Sequence, residues 1–216
     1  MGKEILLIIV LSLFVIINNA QASTKIVLSD DEKESVLRGN VIVREIADDS
    51  EAGRTFEAIG LFDAPIDDIY NVIADFEKYD QFMPNIVNVR VLQEDSSSAV
   101  MNYTLGLPLG KLKKYRLSMT FIKDENTSTL KWKMIDWPGI KKSETIDDTT
   151  GYWFLENYHG SRSGVLVLYH VYTDPGPIPW GLGWIVDFLS KRTVPNIVKN
   201  TRERVYDIGK SEGAKE

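Results

Sequence analysis

The chain has no cysteine. Disulfides, thiolate metal sites, iron–sulfur clusters and cysteine nucleophiles are therefore excluded. Histidine is almost as scarce, with only His159 and His170, too few for a multi-histidine metal centre. Positive charge is in deficit: 25 Lys and Arg face 31 Asp and Glu, a net charge of −6. That sign argues against general nucleic-acid binding, which uses a basic face. No glycine-rich phosphate loop, acidic metal loop or Ser/His/Asp set is visible. No metal, cofactor or nucleic-acid partner is expected. There is also no internal repeat, low-complexity tract or second domain, and 216 residues suit one domain with short extensions. What the chain does have is apolar surface: 44% hydrophobic residues, with aromatics at 10%, several of them clustered in the second half.

The first 22 residues read as a secretory signal peptide. Lys3 precedes an apolar run from Ile5 to Ile17, and Ala20 and Ala22 then stand at the −3 and −1 positions of a cleavage site after Ala22. The alternative is a retained anchor, although the run is short for a bilayer span. Without a following cysteine it cannot be a lipoprotein anchor. The expected organisation is a signal peptide over 1–22, an N-terminal extension with a short helix over 23–38, one domain over 39–210 and a tail over 211–216. The expected location is periplasmic or secreted. An exported fold without cysteine must be held by its core alone.

Local patterns give the elements. Ser29 and Glu32 form a capping box before a short helix that Gly39 ends. Strands are expected over 41–45 and 54–62. Asp63-Ala64-Pro65 opens a helix, with Pro65 at its first position and Ile66, Ile69, Tyr70 and Ile73 on its apolar face. A second short helix is expected from Phe76 to Phe82. Period-2 alternation then predicts strands over 87–93, 99–105, 115–122, 130–134, 151–156 and 165–172, for example Tyr115, Leu117, Met119 and Phe121 against Arg116, Ser118 and Thr120. Such patterns mean an antiparallel sheet with one buried and one wet face. The chain closes with a helical stretch in which Trp180, Trp184 and Phe188 lie four apart, and in which Pro195 kinks or divides the helix. The fold class is α+β: a curved antiparallel sheet of about seven strands wrapped around a long C-terminal helix. A curved sheet on one helix encloses a space that side chains or a ligand must fill.

The run from Phe62 to Pro84, FDAPIDDIYNVIADFEKYDQFMP, resembles the signature of the START-like, helix-grip superfamily, and Ile178-Pro179-Trp180 is similar to its start of the terminal helix. That superfamily includes polyketide cyclases, coenzyme Q-binding proteins, steroidogenic acute regulatory-related lipid transfer domains and the birch pollen allergen. The resemblance spans roughly residues 36–208. It implies a helix-grip fold with a hydrophobic guest, a quinone or other isoprenoid lipid being one candidate. Its aspartate falls on Asp75, whose expected role is a loop hydrogen bond.

Several residues are candidates for the wall of such a cavity: Tyr103, Met119, Trp132, Met134, Trp153, Tyr169, His170, Trp184 and Phe188, with Trp180 beside them. Methionine adapts to irregular ligands and aromatic rings offer broad contacts. The competing reading of each is plain core packing. Tyr103 and Tyr169 could supply the few polar groups that orient a ligand. Tyr169 and His170 are strand neighbours, so only one of them points inward. His170 is the strongest single acid–base candidate, against a place on the outer face or in a hydrogen bond. His159 reads as a turn residue, and no catalytic residue is assigned. Lys111, Lys113, Lys114, Lys131, Lys133, Lys141 and Lys142 make a basic middle segment that either meets anionic headgroups or is a solvated strand face. The loop Gly106-Leu107-Pro108-Leu109-Gly110 is a gate, a membrane-dipping tip or an ordinary buried loop. The expected function is an exported binding or transfer protein for a hydrophobic ligand, a lipid, quinone or sterol-like molecule, with transient membrane contact. The alternatives are a cyclase- or hydrolase-like enzyme using the same cavity and a ligand-free interaction module.

Overall fold

The computed structural model describes residues 25–47, 53–176 and 192–213. The proposed leader and the aromatics Trp180, Trp184 and Phe188 lie outside the described residues.

Helix α1 (Asp30–Leu37) starts at the expected capping box: Ser29 N donates to Glu32 Oε2 at 2.8 Å and Glu32 N donates to Ser29 Oγ at 3.3 Å. Strands β1 (Ile42–Ile46) and β2 (Arg54–Phe62) follow. Helix α2 (Ile66–Ala74) begins one residue later than expected, because Pro65 keeps extended backbone and serves as its N-cap. A single 3-10 turn (Phe76–Lys78) leads into α3 (Tyr79–Phe82). Six strands come next: β3 (Ile86–Glu94), β4 (Ser98–Gly106), β5 (Leu112–Lys123), β6 (Thr127–Ile135), β7 (Asp148–His159) and β8 (Ser163–Asp174). The described part of the terminal helix, α4, runs from Val194 to Gly213 with Pro195 in its first turn, where proline needs no donor.

The sheet has eight described strands, all antiparallel, in the order β1-β2-β8-β7-β6-β5-β4-β3. The expected curved antiparallel sheet is present, and the short β1, expected over 41–45, pairs fully with β2 from Ile42↔Ile59 to Ile46↔Thr55. Helix α4 lies across the inner face against β2 and α2. Gly60 permits that approach, since a side chain there would meet Val198 Cγ1 at 3.0 Å.

Strand alternation sorts the residues to two faces. On β2, Phe56, Ala58 and Phe62 join the main core with Ile69, Ile73, Phe76 and Val198, while Ile59 and Leu61 point the other way. The outer face was expected to be wet. Over β2, β7 and β8 it is instead covered: Ile26, Leu28 and Val36 pack on Ile59, Leu61, Phe154, Leu166 and Leu168. The physical reason is the N-terminal segment, whose few apolar residues fold back over the sheet and remove that patch from water.

Candidate functional site

A cavity of about 780 Å³ lies between the inner face of the sheet and the start of α4, within the size range of small-molecule sites. Its wall follows from strand parity. Along β5 the inward residues run Lys113, Tyr115, Leu117, Met119; along β4 Leu105 and Tyr103 line it. Trp132 comes from β6, Thr149 and Trp153 from β7, and Tyr169 and Val171 from β8. On β2, β5, β7 and β8 a polar or charged residue (Arg54, Lys113, Thr149, Thr173) stands near one end and the apolar and aromatic residues beyond it, so the wall grades from a polar mouth to an aromatic interior.

The interior is ordered by ring contacts. Trp153 and Tyr169 have centroids 4.7 Å apart, and Trp132 stacks on Tyr169 at 5.5 Å. Tyr103 and Tyr115 stack in parallel at 5.4 Å, as expected for residues directly opposite in register. Gly151 makes room for this: a side chain there would lie 2.4 Å from Trp132 Cζ2, so the indole rests across the bare strand.

The tyrosines differ in hydrogen bonding. Tyr79 Oη donates to the carbonyl of Ile73. Tyr103, Tyr115 and Tyr169 make no side-chain hydrogen bond among the described residues, yet their hydroxyls are not sealed, since the one fully buried side-chain polar atom without a partner there is Thr145 Oγ1. These three hydroxyls therefore face the cavity. Burial pushes the phenols of Tyr103, Tyr115 and Tyr169 well above the usual tyrosine range, with smaller contributions from Tyr79, Tyr115 and Tyr169 to Tyr103 and from Tyr115 to Tyr169, so they stay neutral donors.

Cations stand at the mouth. Lys113 Nζ donates to the carbonyls of Ser143, at 3.2 Å, and Thr145. Lys142 pairs with Asp147 at 3.1 Å, Arg54 approaches Glu45 at 3.8 Å, and Lys111 is exposed beside them. The rim is tied to α4 and the residue before it by Asn200 Nδ2 donating to the Phe82 carbonyl at 2.9 Å and by Asn85 Nδ2 donating to Thr193 Oγ1 at 2.9 Å. The basic segment thus divides by parity: Lys111, Lys113 and Lys142 reach the rim, whereas Lys114, Lys131 and Lys133 are outside the cavity wall. In the loop at the mouth, Leu107 lines the cavity and Leu109 is 76% exposed with a left-handed φ of 66°. The reading of this loop as ordinary buried structure is corrected.

Of the nominated residues, Tyr103, Met119, Trp132, Trp153 and Tyr169 meet in the wall. Met134 packs against the main core without lining the cavity. His170 does not belong there, because Tyr169 takes the inward position of that pair. His170 lies on the outer face, its ring stacked on Tyr152 at 4.7 Å and its Nδ1 3.2 Å from Glu57 Oε1. Glu57 also meets Arg44 Nη1 at 3.5 Å, and Arg44 donates to Glu32 at 2.7 and 2.8 Å. The His170 hydrogen bond, against the opposing effect of burial, holds the Glu57 carboxyl below its usual range. This chain of contacts fastens α1 to the sheet. Among the described residues no group of three His, Asp or Glu could hold a metal, and no helix is long and apolar enough to cross a membrane. Tyr79 and Tyr115 were missed as wall residues. Tyr115 shares a face with Met119 and was legible by parity; Tyr79 comes from a helix end, where no periodicity marks it.

The sequence matches the family described as polyketide cyclase / dehydrase and lipid transport over residues 62–200. Among solved structures the fold is similar to a STAR-related lipid transfer protein from Xanthomonas axonopodis, with a TM-score of 0.66 and 19% identity over 77% of this chain and 94% of that one. It is also similar to human StAR-related lipid transfer protein 5, with a TM-score of 0.66 and 12% identity over 79% and 84% of the two chains. The Zhui aromatase/cyclase of a Streptomyces species aligns with a TM-score of 0.53 and 13% identity over 76% and 94%. No curated protein matches the sequence significantly.

Proposed function

Taking as premise that the chain belongs to the polyketide cyclase / dehydrase and lipid transport family, we propose that it is an exported carrier of one hydrophobic small molecule held between sheet and terminal helix. The observation that carries this reading is the 780 Å³ cavity with an aromatic interior and open tyrosine hydroxyls. A space of that size in plain core would be filled by side chains, since interiors close-pack. The lipid transfer activity named for two structural relatives supports the same reading. The quinone and isoprenoid class, suggested by the resemblance of residues 62–84, is the finer form of the proposal. The lysines at the rim and the exposed Leu109 support transient contact with a membrane bearing anionic lipid, through which the guest enters.

Export is read from the apolar run and A-x-A pattern of residues 1–22. N-terminal sequencing of the protein recovered from the periplasm or medium tests it; a mature chain starting at Ser23 is expected, and a chain retaining Met1 in the cytoplasm overturns it. Native mass spectrometry of the purified protein, followed by lipid extraction, tests the carrier role. A stoichiometric co-purifying lipid is expected. A clean apo mass that takes up nothing from a total lipid extract would sink the reading.

A further inference from the structure

The polar groups of the cavity interior are unequal in kind. Tyr103 and Tyr115 are 5% and 9% exposed, and Tyr169 faces them from β8. None of the three hydroxyls has a protein partner among the described residues, and none is sealed. They do not bond to one another either, although the Tyr103 and Tyr115 rings stack at 5.4 Å. The indole N–H groups of Trp132 and Trp153, which can only donate, add to this surplus of donors in the wall. Among the described residues the charged members of the wall are Arg54, Lys111, Lys113, Lys142 and Asp147, which stand at the mouth ends of their strands or in the loops beside them, Lys113 one inward position before Tyr115 on β5.

Resting on the carrier reading above, we propose that Tyr103, Tyr115 and Tyr169 form one recognition point for an uncharged oxygen acceptor on the guest, such as a ketone, quinone or ester carbonyl. Three phenol donors in the wall of one largely apolar cavity match a carbonyl oxygen, which accepts through two lone pairs. A hydrocarbon guest leaves the hydroxyls without partners, and a buried polar group without a partner is costly. A carboxylate or phosphate guest would bring a full charge to the tyrosines, where the neighbouring Lys113 already donates to the Ser143 and Thr145 carbonyls, which is costlier still. The guest is thereby oriented: carbonyl at the tyrosine level, apolar body against Met119, Trp132 and Trp153, remaining end toward the mouth. Selection by buried donors discriminates strongly between an analogue that has the matching oxygen and one that lacks it.

The test uses two probes of nearly the same shape, acetylpyrene and isopropenylpyrene, in which a carbonyl oxygen is exchanged for a methylene. Their dissociation constants are measured by fluorescence on the purified protein and on a variant carrying Tyr103→Phe, Tyr115→Phe and Tyr169→Phe. The expected result is that the ratio of the two constants, favouring the ketone, falls roughly tenfold in the variant, while isopropenylpyrene binding changes by no more than about twofold. An unchanged ratio overturns the proposal and leaves the carrier reading standing. If neither probe binds the wild-type protein, the carrier reading fails and this inference fails with it. Should the triple variant not fold, the infrared carbonyl stretch of acetylpyrene bound to the wild-type protein decides alone. A band shifted below its position in hexane supports the recognition point; a band at the hexane position refutes it.

Discussion

On the outer face of the sheet, Glu57 meets His170 and Arg44, Arg44 meets Glu32, and Glu156 accepts from the Ile26 backbone at 3.4 Å. On the inner face, the hydroxyls of Tyr103, Tyr115 and Tyr169 make no hydrogen bond among the described residues. Tyr169 and His170, adjacent on β8, fall one in each set, so the contrast comes from what each face is for. The outer polar groups fasten the N-terminal segment over an apolar patch, and a fastening works only when paired. The inner ones are left open, which is tolerable at a site that another molecule completes and wasteful in a core.

The sharpest way to break this comparison is by truncation. Phe154 is packed in the outer cluster and Trp132 borders the cavity. Phe154→Ala should cost about 3–4 kcal/mol of stability, because it opens a void in packed structure. Trp132→Ala removes a larger side chain but should cost only about 1–2 kcal/mol, since no new void is sealed. It should instead weaken uptake of a hydrophobic probe at least roughly tenfold. Chemical denaturation with a parallel binding titration checks both; equal costs for the two variants would erase the distinction between wall and core.

The two faces should also fail at opposite ends of the pH scale. The inner phenols are pushed above their usual value of 10.0 by burial. Their folded-state pKa is raised, so the stability present below about pH 10 is lost as the pH rises further. Absorbance titration should show Tyr79, Tyr103, Tyr115 and Tyr169 ionising only as the protein unfolds; free ionisation near pH 10 would mean that the cavity is flooded. On the outer face Glu32 is lowered from 4.5 to about 2, first by its hydrogen bond with Arg44. Its folded pKa is depressed, so its contribution is present above pH 4.5 and lost as the pH falls toward 2. Glu57 has the same sign, and Glu156, raised by burial, has the opposite one. Glu32→Gln should therefore lower the Tm by a few degrees at neutral pH, a gap that closes on acidification. A gap of constant size would show that the Arg44 pair does not fasten α1.

The smallest expected effect is at the mouth. Leu109 holds a left-handed φ of 66° with 76% of its surface exposed, so it loses on both counts. Leu109→Gly should stabilise the fold by roughly 0.5–1 kcal/mol, measurable by denaturation. If the loop also touches membrane, the same change should reduce binding to anionic vesicles, sharpening the division between a rim built for contact and an interior built for a guest.

Much of this architecture was legible in local pattern. The capping box at Ser29, the apolar face of α2 and the alternation in β5 each follow from a period that the backbone imposes on side-chain direction, and such periods survive in one dimension. The wall residues Tyr103, Met119, Trp132, Trp153 and Tyr169 could be nominated because aromatic and methionine side chains on alternating strands must face something apolar. What those patterns did not carry is phase between elements. Tyr169 and His170 are strand neighbours that alternation alone does not assign to a face, and only the pairing of β8 between β2 and β7 turned the first inward and gave the second to Glu57 and Tyr152. Nor could alternation foresee that residues 26–37 would cover the outer face, or that Tyr79 would reach the cavity from a helix end. The sequence alone settled which residues share a face, because that depends on bonds a few residues apart. Which face is which, and whether the space between sheet and helix stays open, depends on contacts between residues more than a hundred positions apart, such as His170 with Glu57, and only the tertiary structure decides those.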